Sequence, residues 1–91
     1  MSKRKERVTR IIDGDTFETN RRKYPVRLEG LDTPELSQRG GKTAKKFLEG
    51  LILNREVTVD ARARDKYNRA VARVKVGRHS VNKAVGDRLK K

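Results

Sequence analysis

The chain has 91 residues with 25 Lys and Arg against 12 Asp and Glu, a formal net charge of +13, 33% hydrophobic residues, one histidine and no cysteine. A chain this short holds one compact domain with a thin stability margin, and without cysteine it has neither a disulfide framework nor a thiolate metal site. Its charge attracts polyanions, so nucleic acid is the first partner to consider; a membrane surface would want an amphipathic basic helix with large apolar anchors, which is lacking, and no membrane partner is expected.

Residues 1–7 are charged throughout after Met1-Ser2 and read as a basic flexible tail, leaving residues 8–91 as a single domain. No apolar run of signal-peptide length follows, so a cytoplasmic location is expected, with secretion open only to a trimmed chain. Val8, Ile11 and Ile12 start a strand that reaches the Asp13-Gly14 turn signal, and Thr16 to Thr19 reads as its return. After a turn at Asn20 to Lys23, the segment Tyr24 to Leu31 alternates as a third strand, with Pro25 near its start where a missing N–H is tolerable.

Leu36 to Gly41 is a loop, and from Lys42 the period becomes helical, with Ala44, Phe47, Leu48, Leu51 and Ile52 on one face. Val57 to Arg64 and Val71 to Val76 alternate as two further strands about a turn at Asp65 to Asn68. Ser80 is placed to cap a last helix carrying Val81, Ala84, Val85 and Leu89. The order β-β-β-α-β-β-α predicts a mainly β, α+β domain: a five-stranded barrel of the OB type, a fold that often binds oligonucleotides. Fold alone does not settle function.

The acids are more telling than the bases. Asp13 and Asp15 fall in Asp13-Gly14-Asp15-Thr16, and Asp32 and Glu35 in Asp32-Thr33-Pro34-Glu35. Each tract has an ordinary reading, a favoured hairpin turn in the first and a strand exit stiffened by proline in the second. Together they lie where strands meet turns, so Asp15 and Asp32 can approach one hard cation. Clustered carboxylates would repel phosphate unless a metal ion lay between them, and calcium suits an oxygen-only set of two carboxylates, a backbone carbonyl such as that of Thr33, water and phosphate. Arg27, five residues before Asp32, and Arg69, closing Asp65-Lys66-Tyr67-Asn68-Arg69, are the guanidinium forks positioned to hold a phosphate. His79, in a polar turn, reads as a bystander.

Ile12-Asp13-Gly14-Asp15-Thr16, Val26-Arg27-Leu28-Glu29-Gly30-Leu31-Asp32-Thr33-Pro34-Glu35 and Asp65-Lys66-Tyr67-Asn68-Arg69 resemble the three signature segments of the staphylococcal nuclease (thermonuclease) family, and Val81-Asn82-Lys83-Ala84-Val85 resembles the start of its second helix. The similarity runs from about Val8 to Leu89, in the family's order. It implies Asp15, Asp32 and the Thr33 carbonyl as calcium ligands, with Asp13 in support. Glu35 takes the general-base position, Arg27 and Arg69 the phosphate positions, and Lys66 and Tyr67 line a nucleotide pocket. The family hydrolyses DNA and RNA at the P–O5′ bond and leaves 3′-phosphate ends.

Departures from the pattern are Asn68 in place of a glycine, a shorter loop after Glu35, and no counterpart of the third helix or of the aromatic residues after the second helix, so weaker nucleotide binding is expected. The first reading is therefore a monomeric, calcium-dependent nuclease acting on DNA and/or RNA. Glutamate is a weak base at neutral pH, so electrostatics is expected to supply most of the rate. The alternative is a non-catalytic basic OB-type nucleic-acid-binding module. A third reading, an architectural protein coating duplex DNA, leaves the acids without a purpose.

Overall fold

A computed structural model describes residues 3–90. Its elements are β1 (Lys3–Asp13), β2 (Thr16–Thr19), β3 (Val26–Leu28), α1 (Gly41–Ile52), β4 (Glu56–Arg64), β5 (Ala70–Val76), the two-residue β6 (His79–Ser80) and α2 (Val81–Leu89). The sheet runs β3-β2-β1-β4-β5-β6, and a parallel pairing of β3 with β5 joins its ends, so β1 to β5 form a closed barrel. Closure pairs every barrel strand on both sides and removes the exposed edges a small sheet would otherwise present.

The expected elements are present, with three differences that have physical causes. Val8 and Ile11 are both buried although three positions apart, because the β1–β2 ladder shifts register between Val8 and Arg10 and again between Ile11 and Asp13. A bulge inserts one residue and turns the next side chain inward, which simple alternation does not anticipate. The third strand is Val26–Leu28 rather than Tyr24 to Leu31: Pro25 offers no N–H to a ladder, and Gly30, at φ 78°, turns the chain away. The short β6 pairs His79 with Val76 and Ser80 with Lys75, and Ser80 also caps α2, its side chain accepting from Lys83 N–H.

The largest correction concerns the N-terminus. Residues 3–7 are not a tail. They form the first half of β1 and pair with β4 from Lys3↔Asp60 to Arg7↔Glu56, while the second half of β1 pairs with β2. Met1 and Ser2 of the expected tail lie outside the described residues. What holds this segment is a charge turned inward. Glu6 is 1% exposed, accepts from Thr19 Oγ1, and accepts from Arg22 Nε on both carboxylate oxygens at 2.9 Å. A buried carboxylate is tolerated only with such partners.

The core is filled by Val8, Ile11, Phe17, Val26, Leu28, Val57, Val59, Ala72 and Val74 from the strands, Leu48 and Ile52 from α1, and Val81 and Val85 from α2. The predicted stripe of α1 is the face it packs on the barrel, with Phe47 and Leu51 at its margins. Asn82 fastens α2: its side chain accepts from Val74 N–H and donates to the Glu29 and Ala72 carbonyls, so the exit of β3 is bound to the helix.

Removing Glu6 leaves Arg22 and Thr19 without their acceptor. Glu6→Ala is expected to lower unfolding stability by about 3 kcal/mol in denaturant titrations, a large share of the total for a domain this size. A change under about 0.5 kcal/mol, the usual range for surface substitutions, would return this segment to the status of a tail.

Candidate active site

The turn between β1 and β2 is built on its own acid: Asp13 Oδ1 accepts the Asp15 N–H at 3.1 Å, a local side-chain bond of the kind that favours Asp in turns. This gives Asp13 a structural task. Gly14 is required there, because a Cβ would stand 2.7 Å from Ala44 Cβ and 2.8 Å from Thr33 Oγ1. The bare backbone lets the turn, α1 and the loop after β3 come together.

Asp15 is buried at that junction, 5% exposed. Its Oδ2 accepts the Thr33 N–H at 3.2 Å and lies 3.6 Å from Arg27 Nη2, and its Oδ1 accepts the Thr16 hydroxyl at 2.9 Å. Burial pushes the Asp15 carboxyl up, but hydrogen bonding with Asp13, the Thr33 amide and the Thr16 hydroxyl, together with the Arg27 charge, outweighs it and holds the group below the usual carboxylate range. Asp13 moves the other way, raised mainly by burial and then by its neighbour Asp15. One acid of the pair is therefore kept ionised.

Arg27 is aimed by its backbone and by the loop. Thr16 pairs with Arg27 across β2 and β3, and Arg27 Nη2 donates to the Leu31 carbonyl at 2.9 Å. Most of its N–H donors remain for another acceptor. Asp32 follows Leu31 and precedes Thr33, so the bonds of Arg27 and Asp15 to the backbone on either side fix the stretch from which Asp32 projects, exposed.

Asp32, Thr33, Pro34 and Glu35 line an open cleft of about 590 Å³ with Gln38 and Leu89. Gln38, which the sequence did not single out, shapes the Glu35 turn: its Oε1 accepts the Glu35 N–H at 2.9 Å, and its own N–H donates to the Glu35 carbonyl at 2.9 Å. Gly41 closes over that carbonyl so tightly that any Cβ would overlap it.

The second group of predicted residues sits on the β4–β5 turn. Asp65 Oδ1 accepts the Tyr67 and Arg69 N–H groups at 2.9 Å, and its Oδ2 accepts Arg69 Nε at 2.7 Å. Desolvation alone would raise the Asp65 carboxyl, but those bonds together with the Arg69 charge outweigh it and hold the group below its ordinary value. Asp65 was read from the sequence only as a turn residue; its position four before an arginine was the available signal. Asn68 takes φ 65°, the left-handed conformation expected of it in place of glycine. Tyr67 is 62% exposed, with Lys66 Nζ and Arg69 Cζ each 5.2 Å from its ring centre.

Backbone register relates the two groups. In the parallel β3–β5 pairing Val26 faces Ala70 and Arg27 faces Val71, and with Val26, Leu28, Ala70 and Ala72 buried inside, Arg27 belongs to the outer face. Arg69 comes two residues before Val71, hence on the same side and about 7 Å along the barrel from the level of Arg27. Among the described residues no hydrogen bond or ion pair links Arg69 to Asp15, Arg27 or Glu35. Side-chain contacts thus join Asp15, Arg27 and Thr33, whereas Arg69, Lys66 and Tyr67 are brought near by the barrel wall.

The donor chemistry fits a hard cation. Asp15, Asp32 and the Thr33 carbonyl are all oxygen donors, and Thr33 Oγ1 is buried beside them with no hydrogen-bond partner. Among the described residues no three His, Cys, Asp or Glu side chains gather as a metal cage, so a cation here would draw on two carboxylates and on water and phosphate besides.

The same region is what relates the chain to known proteins. The family model described as "Staphylococcal nuclease homologue" matches residues 25–86. The protein named ParB of Escherichia coli is 42% identical over 69 residues, covering 74% of this chain and 39% of that protein. A micrococcal nuclease of Shigella flexneri is 39% identical over 66 residues, 70% of this chain and 38% of its own length, and the thermonuclease of Staphylococcus hyicus is 33% identical over 86 residues, 84% and 51%. The chain therefore spans from about two fifths to one half of these relatives. With the family model matching over two thirds of its length and the barrel closed around the acid and arginine segments, the chain belongs to the staphylococcal nuclease homologue family.

Proposed function

We propose that the chain is a calcium-dependent phosphodiesterase that hydrolyses DNA and/or RNA at the P–O5′ bond and leaves 3′-phosphate ends. The observation that carries this reading is the buried Asp15, bonded to Thr33 and faced by Arg27, with Thr33 lining a cleft that also receives Asp32 and Glu35. A module that only bound phosphate would gain nothing from aiming carboxylates at its ligand. Nuclease-named relatives and the polycationic surface support nucleic acid as the substrate.

Asp15, Asp32 and the Thr33 carbonyl would hold calcium. When bound, the ion polarises the phosphodiester and offsets its charge. Arg27 contributes its unused N–H donors to the phosphoryl oxygens, anchored from behind by Leu31 and Asp15. Arg69 does the same from the far side: its Nε is committed to Asp65, which leaves the two terminal amino groups pointing as a fork. These charges act on the five-coordinate phosphorus, where they are worth more than in the ground state. Glu35 accepts a proton from the attacking water as the new P–O bond forms and the P–O5′ bond breaks. The leaving 5′-oxygen takes a proton from solvent to become a hydroxyl, and Tyr67 offers an exposed ring to a base.

The direct test is degradation of single-stranded DNA by the full chain with calcium, with magnesium and with a chelator, followed by end-group analysis. Calcium-dependent cleavage to 3′-phosphate ends is expected, with Glu35→Gln slower by about 10²-fold and Arg69→Ala by about 10²- to 10³-fold. Tight binding without cleavage would instead make the chain a binding module. Cleavage surviving chelation or both substitutions would place the activity elsewhere.

Two positioning residues give further outcomes. Gly41→Ala displaces the Glu35 carbonyl, so kcat is expected to fall by about tenfold or more while the affinity for a non-cleaved oligonucleotide in chelator stays within about twofold. Equal loss of both would mean that Gly41 serves the fold rather than Glu35.

Asp65→Asn frees Arg69 and removes a carboxylate whose folded-state pKa is lowered. A lowered pKa stabilises the fold above the unfolded value, near 3.8, and that contribution disappears as pH falls through the still lower folded value. Wild type should therefore exceed Asp65→Asn in stability at neutral pH by about 1 kcal/mol or less, with the gap closing below about pH 4. A gap constant from pH 7 to pH 2 would contradict the ion-pair account.

A further inference from the structure

We propose that the barrel end where β3 and β5 begin is a second nucleic-acid site, one that grips the phosphodiester backbone and one base of a single strand extending away from Arg69. The proposal rests on the reading of nucleic acid as the ligand and not on cleavage.

A cleft of about 300 Å³ at this end is lined by Arg4, Arg21, Arg22, Lys23, Arg64 and Tyr24, with Asn68 and Ala70 completing the wall. The cations come from the start of β1, the β2–β3 turn and the end of β4, so only barrel closure assembles them. No acid lines it. A cleft on another part of the barrel differs: the one holding Lys3, Arg73 and Lys75 also holds Asp60, and Arg73 pairs with Glu29. Among the described residues Arg22 alone of these cations is paired to a carboxylate, and gathering the other like charges costs stability, which a polyanion would offset.

Two of these arginines are built in rather than loosely placed. Of the Arg22 guanidinium only Nε bonds the buried Glu6, leaving its terminal amino groups for another acceptor. Arg64 Nη1 donates to the Asn68 carbonyl at 2.8 Å. Both retain free donors in a fixed orientation, which lowers the entropy lost on taking a phosphate.

Tyr24 adds the aromatic element. It is 40% exposed, with Lys23 Nζ 5.5 Å from its ring centre, so a base stacked there would lie beside a cation that meets its phosphate. Bases are available for stacking in single strands, which favours that form of ligand. Asn68 belongs both to this wall and to the turn carrying Tyr67 and Arg69, which makes the path from the first site to the second continuous.

Fluorescence anisotropy in chelator, over a range of salt, separates the two sites by length. A tetranucleotide reports the Arg27–Arg69 site, and a single strand of about 15 nucleotides can reach both, within the range of lengths such barrels cover. The double variant Arg21→Ala/Lys23→Ala is expected to weaken the longer strand by about tenfold, to lower its salt slope by about 1.4 for two lost phosphate contacts, and to spare the tetranucleotide. Tyr24→Leu should weaken the longer strand by about fivefold or more with no change of slope. The charge-matched control Lys46→Ala/Lys75→Ala should change the longer strand by under about twofold, screened from any specific contact.

Equal weakening by both double variants, or equal loss for both ligand lengths, overturns the second site. If wild type binds in this pattern but never cleaves, the nuclease reading fails and this one stands. Cleavage by wild type with Arg21→Ala/Lys23→Ala indistinguishable in every assay gives the reverse.

Discussion

Everything at the candidate active site depends on keeping one carboxylate charged while it is buried. Asp15 is nearly out of water, a position that on its own would favour its neutral form. The Thr33 amide, the Thr16 hydroxyl and Arg27 reverse that preference, and in doing so they bind three separate parts of the chain to one side chain: the β1–β2 turn, β3 and the loop that carries Asp32 and Glu35. The same bonds that keep the charge also locate the loop. A buried ion pair serving only the fold could be replaced whole by apolar residues of similar volume with little loss, whereas an acid that must stay ionised needs this surrounding.

Three of the arginines follow a common rule. Arg69, Arg22 and Arg73 are each held through Nε by a carboxylate, at 2.7, 2.9 and 3.0 Å. Anchoring at Nε fixes the plane of the guanidinium and leaves its outer edge free, which is the edge that matches phosphate. In a chain with about two bases for every acid, Glu6, Glu29 and Asp65 are thus spent on aiming arginines, and Asp32 and Glu35 line the cleft itself. Net charge supplies attraction from a distance, and the few acids decide where that attraction becomes a defined contact.

Much of this was legible in the sequence, for local reasons. The hairpin return Thr16–Thr19, the stripe of α1, the Ser80 cap and the left-handed Asn68 all follow from periodicity or turn chemistry within a few residues. What was missed depends on contacts distant in sequence. Glu6 looks like a solvated charge in a basic run until Arg22 and Thr19 arrive across the barrel. The bulges in β1 break the alternation that would have revealed its inner face. Asp65 and Gln38 are ordinary turn residues by type, and only the positions of Arg69 and Glu35 give them a task. The need for Gly14 and Gly41 comes from backbone and side chains that approach from elsewhere.

The central claim is that Asp15 and Asp32 hold a cation at the phosphodiester. Calorimetric titration of calcium into the full chain, with a nucleoside 3′,5′-bisphosphate present, tests it most directly, using Asp15→Asn as the isosteric neutral partner. The account predicts one calcium per wild-type chain and no measurable binding in Asp15→Asn that is still folded by circular dichroism. Calcium binding unchanged in Asp15→Asn, or absent from a wild-type chain that nonetheless cleaves DNA, would contradict it.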